Sequence, residues 1–244
     1  MHDDGYFDEA VATQYDRDTA AAEHDPIPSI VALLAELAGQ GQALEFAIGT
    51  GRIALPLAAR GVSVAGIELS RPMIERLRAK PGGETLPVRV GDMAKTRMPG
   101  EFTLVYLVFN TINNLVTQDA QIACFENAAA HLAPGGAFLV EVGVPPLQRL
   151  PLGETLLAFE RSERHWGVDE IDVVSQRFTS HHLRLRDAGF ERQSIPFRYV
   201  WPSELDLMAR IAGLKLVERW SGWMKQPFTN TSTRHISVWR KPAM

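Results

Sequence analysis

The stretch from residue 43 to residue 61, ALEFAIGTGRIALPLAARG, runs from apolar residues through one carboxylate, Glu45, into two glycines and then a helix-forming segment. Gly49, Gly51 and Ala54 satisfy the pattern G-x-G-x-x-G/A, in which small residues let backbone amides approach a nucleotide at a strand-to-helix turn. Glu68 lies 17 residues beyond Gly51, close to where such folds carry the acid that accepts from ribose hydroxyls. Glycine turns of this kind also serve simply to join a strand to a helix, so the flanking elements have to decide.

Those elements alternate. QALEFAI (42–48) reads as a short buried strand, and GRIALPLAARG (51–61) as a helix that stops at Gly61, with Pro56 expected to kink it or remove a hydrogen bond. VSVAGIELS (62–70) is a second β-branched run. Ser70 is placed as the N-cap of SRPMIERLRAK, with Pro72 in the first turn. LPVRVGDM (86–93), FTLVYLVFN (102–110) and AFLVEVGV (137–144) supply strands three to five. Between the last two, DAQIACFENAAAHL puts Ile122, Phe125, Ala129 and Leu132 on one helical face, and APGG ends it. This β-α-β-α order predicts a Rossmann-like α/β fold: a mostly parallel sheet of about seven strands flanked by helices. Ligands of such sheets bind at the carboxyl ends of the strands, which here carry Glu45, Glu68, Asp92, Asn110 and Glu141.

The second half changes character. HLRLRDAGFERQ (182–193) predicts a hairpin about Asp-Ala-Gly, and IPFRYVWP (195–202) alternates Ile195, Phe197, Tyr199 and Trp201 as a half-buried strand does. Ser203 with Asp206 suggests a capping-box start for a helix whose Leu205, Met208, Ala209 and Ala212 share a face up to Gly213. LKLVERW (214–220) and HISVWRK (235–241) are two closing strands. The expected organisation is an N-terminal helical cap (1–42), an α/β core (43–153 and 201–244) and an antiparallel β insert after strand five (154–200).

With 244 residues, a net charge of −4 and no clustered basic stripe, the chain is a poor candidate for nucleic-acid binding. No apolar run reaches the roughly 20 residues of a membrane span, and the acidic start MHDDGYFDEA lacks the apolar core of a signal peptide. One cysteine, Cys124, leaves no intrachain disulfide and no cysteine-rich metal site, so no metal is expected and a cytoplasmic location fits.

Glu45 separates the candidate ligands. A dinucleotide would set its pyrophosphate at this turn, where a carboxylate would oppose it by a few kcal/mol, an order-of-magnitude figure at an effective dielectric of about 20. S-adenosylmethionine brings an α-ammonium and a sulfonium instead, and there an acid is attractive. A helix-capping or surface role for Glu45 stays open at this point. Asp92 in VGDM can accept from an adenine amine while the Met93 N–H donates to a ring nitrogen.

LEFAIGTGRIALPLA, GIELS, GDM and LAPGGAFLVEV together resemble the class I S-adenosylmethionine-dependent methyltransferases, particularly those acting on small molecules, over roughly residues 43–144. By that resemblance Gly49 and Gly51 lie under the methionine end with Glu45 near its ammonium, Glu68 holds the ribose hydroxyls, Asp92 and Met93 hold adenine, and FNTINN, from Phe109 and Asn110 to Asn114, floors the pocket. The resemblance also implies that Phe46, Ala47, Arg52, Leu69, Met73 and Gly91 bind the cofactor. The family usually has glycine two residues after the first acid, where this chain has Ala47. The leading YFDEAVATQYD is similar to the family's first helix, with Tyr6 and Tyr15 as aromatics that fold over the cofactor.

Methyl transfer from a sulfonium requires chiefly that acceptor, methyl carbon and sulfur be held in line and dry. Glu141 is the candidate base, ahead of His165, His181 and His182 in the insert. Trp166, Tyr199 and Trp223 are candidates to wall the acceptor. The expected partner is a small molecule presenting N or O, the chain itself a monomer or homodimer. An NAD-dependent oxidoreductase and a non-catalytic S-adenosylmethionine-binding protein are the alternatives.

Overall fold

The computed structural model describes residues 6, 9, 11–13, 15–16, 27–187 and 189–243. After helix α1 (Ile27–Ala38), strand β1 (Gln42–Phe46) enters the centre of a seven-stranded sheet ordered β10-β11-β5-β4-β1-β2-β3. Its other members are β2 (Ser63–Glu68), β3 (Val88–Val90), β4 (Phe102–Leu107), β5 (Leu132–Gly143), β10 (Lys215–Trp220) and β11 (Arg234–Arg240). β1 to β5 are parallel, and β11 runs antiparallel between β5 and β10. The order turns back at β1, between β2 and β4, and a crevice opens beyond the strand ends at such a reversal.

The central strands are apolar on both faces because helices cover both. Alternation along β1 sends Leu44 and Phe46 into a core cluster with α4 (Gln118–His131) and α5 (Pro202–Ile211). Ala43 joins the opposite cluster, with α1, α2 (Ala54–Ala58) and Leu77 of α3 (Arg71–Arg78). Phe125, Phe138 and Trp239 pack edge-on or tilted in the first cluster, with ring centroids 4.9–6.3 Å apart.

Between β5 and α5 the chain builds a second sheet, an antiparallel meander of β6 (Leu156–Arg161), β7 (His165–Asp172), β8 (Arg177–Arg186) and β9 (Gly189–Arg198). β8 and β9 pair as the expected hairpin, Arg186 opposite Gly189. Arg198, 4 % exposed at the end of β9, fixes this sheet to the core. Its guanidinium donates to Gln121 of α4, to Gln176, and to Glu204 of α5 at 2.7 Å.

Three local expectations change. Ser70 does cap α3, accepting from Met73 N–H at 3.3 Å, with Pro72 inside the first turn. Pro56, however, is the third residue of a five-residue helix that ends at Ala58, and a first-turn position tolerates its missing N–H. Ser203 is not a cap: Trp201 holds that position, Pro202 starts α5, and Asp206 pairs with Arg219 at 2.7 Å. Helix α4 does end before APGG, at His131, but β5 begins at Leu132 rather than at Ala137, so APGG lies within the strand. No helix among the described residues is long and apolar enough to cross a membrane.

Candidate active site

The glycine turn is held by carboxylates below it. Glu68 ends β2, and its two oxygens accept from Gly49 N–H and Ser70 N–H, each at 2.8 Å, so one side chain fixes both the turn and the entry to α3. Carboxylate oxygens carry more than one lone pair, and this one also lines the adjacent cavity. Gly49 adopts φ +56° with open space where a side chain would stand. Gly51 does not line the cavity; its left-handed φ of +78° and the Leu77 and Leu55 side chains beside it favour glycine there. Ala47 takes the left-handed conformation, φ +53°, that the family's glycine adopts freely.

Glu45 lies beneath this turn, 4 % exposed, and accepts from the Tyr106 hydroxyl at 2.9 Å. Burial pushes its carboxyl up to about 8, against the Tyr106 hydrogen bond, with Glu68 adding to the rise and Arg52 opposing it. A buried acid this reluctant to ionise is suited to meet a cation.

Two cavities open above the strand ends. The first, about 140 Å³, is lined by ten of the predicted residues: Tyr15, Ala47, Gly49, Glu68, Leu69, Met73, Gly91, Asp92, Met93 and Asn114. Asp92 also receives Ala94 N–H at 2.8 Å. The second, about 650 Å³, extends from Phe109 and Asn110 to the inner face of the second sheet at Asp169, Ile171, Phe178, Ser180, Phe197 and Tyr199. Tyr15, Thr111 and Asn114 border both. The helical residues around Tyr15 are tied down: Asp16 accepts from Thr50 Oγ1 at 2.5 Å and from Lys80 Nζ at 2.7 Å, and Glu9 pairs with Arg76 at 2.8 Å.

Several of the other predicted residues lie outside both cavities. Phe46 is core, packed against Phe138 and His131. Arg52 borders neither cavity; its guanidinium lies 3.6 Å from the Phe109 ring centroid. Tyr6 is 36 % exposed and also borders neither. Trp166 is 62 % exposed, its indole N–H donating to Ser162 O, while Trp223 is buried in the α1-side core. Of the three predicted acceptor-wall residues only Tyr199 lines the large cavity. Glu141 does not line either cavity: its carboxylate accepts Phe109 N–H at 2.5 Å. Phe109 and Asn110 are consecutive left-handed residues, φ +59° and +60°, and Glu141 supports that strained turn. His165 and His182 stack on each other, with Nε2 to Nδ1 at 2.9 Å. Burial, then Arg184 and the neighbouring imidazoles, hold His182 down at about 4. Asp169, Ser180 and Phe178 carry no signal of their own in the sequence, since only sheet pairing brings β7 and β8 over the crevice, whereas Thr111 lies within the FNTINN segment expected to floor the pocket.

Residues 43–136 match the family described as "Methyltransferase domain". The chain is similar to the CcbJ methyltransferase of Streptomyces caelestis, 35% identical over 96% of each chain with a TM-score of 0.82. It is also 25% identical to the cypemycin N-terminal methyltransferase of Streptomyces sp, over 98% of both chains. The fold recurs in S-adenosylmethionine-bound CalS10, an amino pentose methyltransferase of Micromonospora echinaspora (21% identity, 93% of this chain and 96% of that one, TM-score 0.69). The chain belongs to the S-adenosylmethionine-dependent methyltransferases and is an enzyme of that class. The oxidoreductase and the purely cofactor-binding alternatives are thereby set aside.

Proposed function

We propose that the protein transfers the methyl group of S-adenosylmethionine to a nitrogen atom of a small-molecule acceptor held in the larger cavity. The observation that carries this is the shared wall: Tyr15, Thr111 and Asn114 border both cavities, so a donor in one meets an acceptor in the other. Nitrogen is favoured over oxygen because, among the described residues, no carboxylate or imidazole stands at that shared wall to deprotonate a hydroxyl, whereas an unprotonated amine is itself nucleophilic. The cypemycin N-terminal methyltransferase also acts, by its name, on an amine.

The residues present fit the donor. In this reading Glu45, ionised by the arriving charge, sits below the α-ammonium, and Gly49 and Ala47 flank it. Glu68 accepts from the ribose hydroxyls while still bracing the turn, and Asp92 and Met93 hold adenine against Leu69 and Met73. S-adenosylmethionine supplies an activated methyl on a sulfonium. The chain orients the acceptor lone pair in line with it: Tyr15 and Asn114 narrow the junction, and the aromatic walls keep the site dry. As the new N–C bond forms, the C–S bond breaks with its electron pair passing to sulfur, and the product ammonium releases a proton to solvent.

The test is stabilisation by S-adenosylhomocysteine, together with transfer of labelled methyl from S-adenosylmethionine to a panel of amines and alcohols. Stabilisation with labelling of amines alone is expected. Labelling of alcohols in preference to amines would overturn the nitrogen assignment.

A further inference from the structure

Asn113 belongs to the short 3-10 turn Thr111–Asn114 that separates the two cavities, and it lines only the larger one. It is 9 % exposed, and its Oδ1 has no hydrogen-bond partner. A buried acceptor left without a donor is uncommon, and an ordered water or a ligand N–H would satisfy it. Across the same cavity, Asp169 of β7 stands directly opposite Ser180 of β8, and its carboxylate accepts from the Ser180 hydroxyl. The other sheet residues around it are apolar or aromatic: Ile171, Phe178, Phe197 and Tyr199, with the Phe178 and Phe197 rings stacked at 5.1 Å. Asp169 is the one carboxylate among the described residues of this chamber, set with the unpartnered Asn113 Oδ1 among aromatic walls, while Gln148, Arg149 and residues 230–233 form another part of its lining. That combination receives cationic nitrogen, through charge-assisted hydrogen bonds and the faces of the rings.

We propose that Asn113 and Asp169 are the acceptor-binding pair of this enzyme, and that they select an aryl- or alkyl-amine, with Asn113 Oδ1 receiving an N–H near the reacting centre and Asp169 anchoring a cationic nitrogen at the far wall. Asp169 lines only the large cavity, so the nitrogen it anchors is distinct from the atom that is methylated. Burial raises the Asp169 carboxyl above its usual range, with Ser180 and His181 opposing; a bound ammonium would reverse that rise. This assignment rests on the larger cavity being the acceptor site.

The experiment is calorimetric titration of the full chain with the two-nitrogen probe 2-(4-aminophenyl)ethylamine and its counterpart lacking the cationic nitrogen, 2-(4-aminophenyl)ethanol, with and without saturating S-adenosylhomocysteine. The diamine is expected to bind about tenfold or more tightly than the alcohol, the scale of one charge-assisted hydrogen bond. Asp169→Asn should bring the two within about twofold, and Asn113→Ala should weaken the diamine several-fold, each retaining the thermal gain from S-adenosylhomocysteine. Equal binding of the two probes, binding of neither, or a preference that survives Asp169→Asn overturns the assignment. A diamine affinity unchanged by Asn113→Ala removes Asn113 from it. Failure of S-adenosylhomocysteine to bind counts against the proposed function instead, and the probe ratio measured without it still decides the pair.

Discussion

The Glu141 carboxylate bears on two left-handed residues at the end of β4, and its contact with Phe109 N–H gives it a supporting role. Removing it leaves a part-buried donor unsatisfied beside a strained turn. Glu141→Ala is therefore expected to cost about 1–3 kcal/mol in denaturant unfolding and to lower kcat by displacing Phe109. Glu141→Gln keeps an oxygen that can accept the same N–H and should leave the pH profile of kcat unchanged; a lost titrating limb in that variant would restore Glu141 as a base. The residue scale is also where the sequence was least decisive. Glycine spacing located the turn, but it could not tell that Gly51 sits beside Leu77 while Gly49 lines the cavity, because that contact joins α3 to the turn in space.

Among elements, the second sheet depends on Arg198. It is 4 % exposed and reaches Glu204 of α5, whose carboxyl is lowered: burial works to raise it, but Arg198, Gln176 and Gln118 together outweigh burial. Arg198→Leu strands a partly buried carboxylate and should destabilise the chain by about 3 kcal/mol by chemical denaturation. A change below about 1 kcal/mol would mean that apolar contacts alone dock the sheet. At the other end of the crevice, Asp16 clasps Thr50 and Lys80. Such part-exposed pairs contribute about 0–1 kcal/mol, so Asp16→Ala should weaken S-adenosylhomocysteine binding by no more than about fivefold. The strand and helix order was legible because apolar runs and caps are local signals. The placement of Trp166 and Trp223 was not, since an exposed and a buried indole look alike in one sequence. Asp169 was hidden for a related reason: its neighbours are set by the β7–β8 register.

Across the whole molecule, the fold brings Glu68 and Asp92 from separate strands to the smaller cavity, and Glu45 lies buried beneath the glycine turn without lining that cavity. Its folded value of about 8 exceeds the ordinary 4.5, so the neutral acid favours the folded state. That contribution is full below 4.5 and is lost as pH rises through about 8; thermal stability of the ligand-free protein should fall across this window, and Glu45→Gln should flatten the fall. A cationic donor demands the opposite charge state, so binding must expel the proton. The direct measurement is titration calorimetry of S-adenosylhomocysteine, which keeps the α-ammonium, at pH 7 in two buffers of different ionisation enthalpy. Release approaching one proton per molecule bound is expected, with affinity rising towards pH 8 and the release abolished by Glu45→Gln. Binding without proton release, or release undiminished in that variant, would contradict a crevice built around a buried acid that meets a cation.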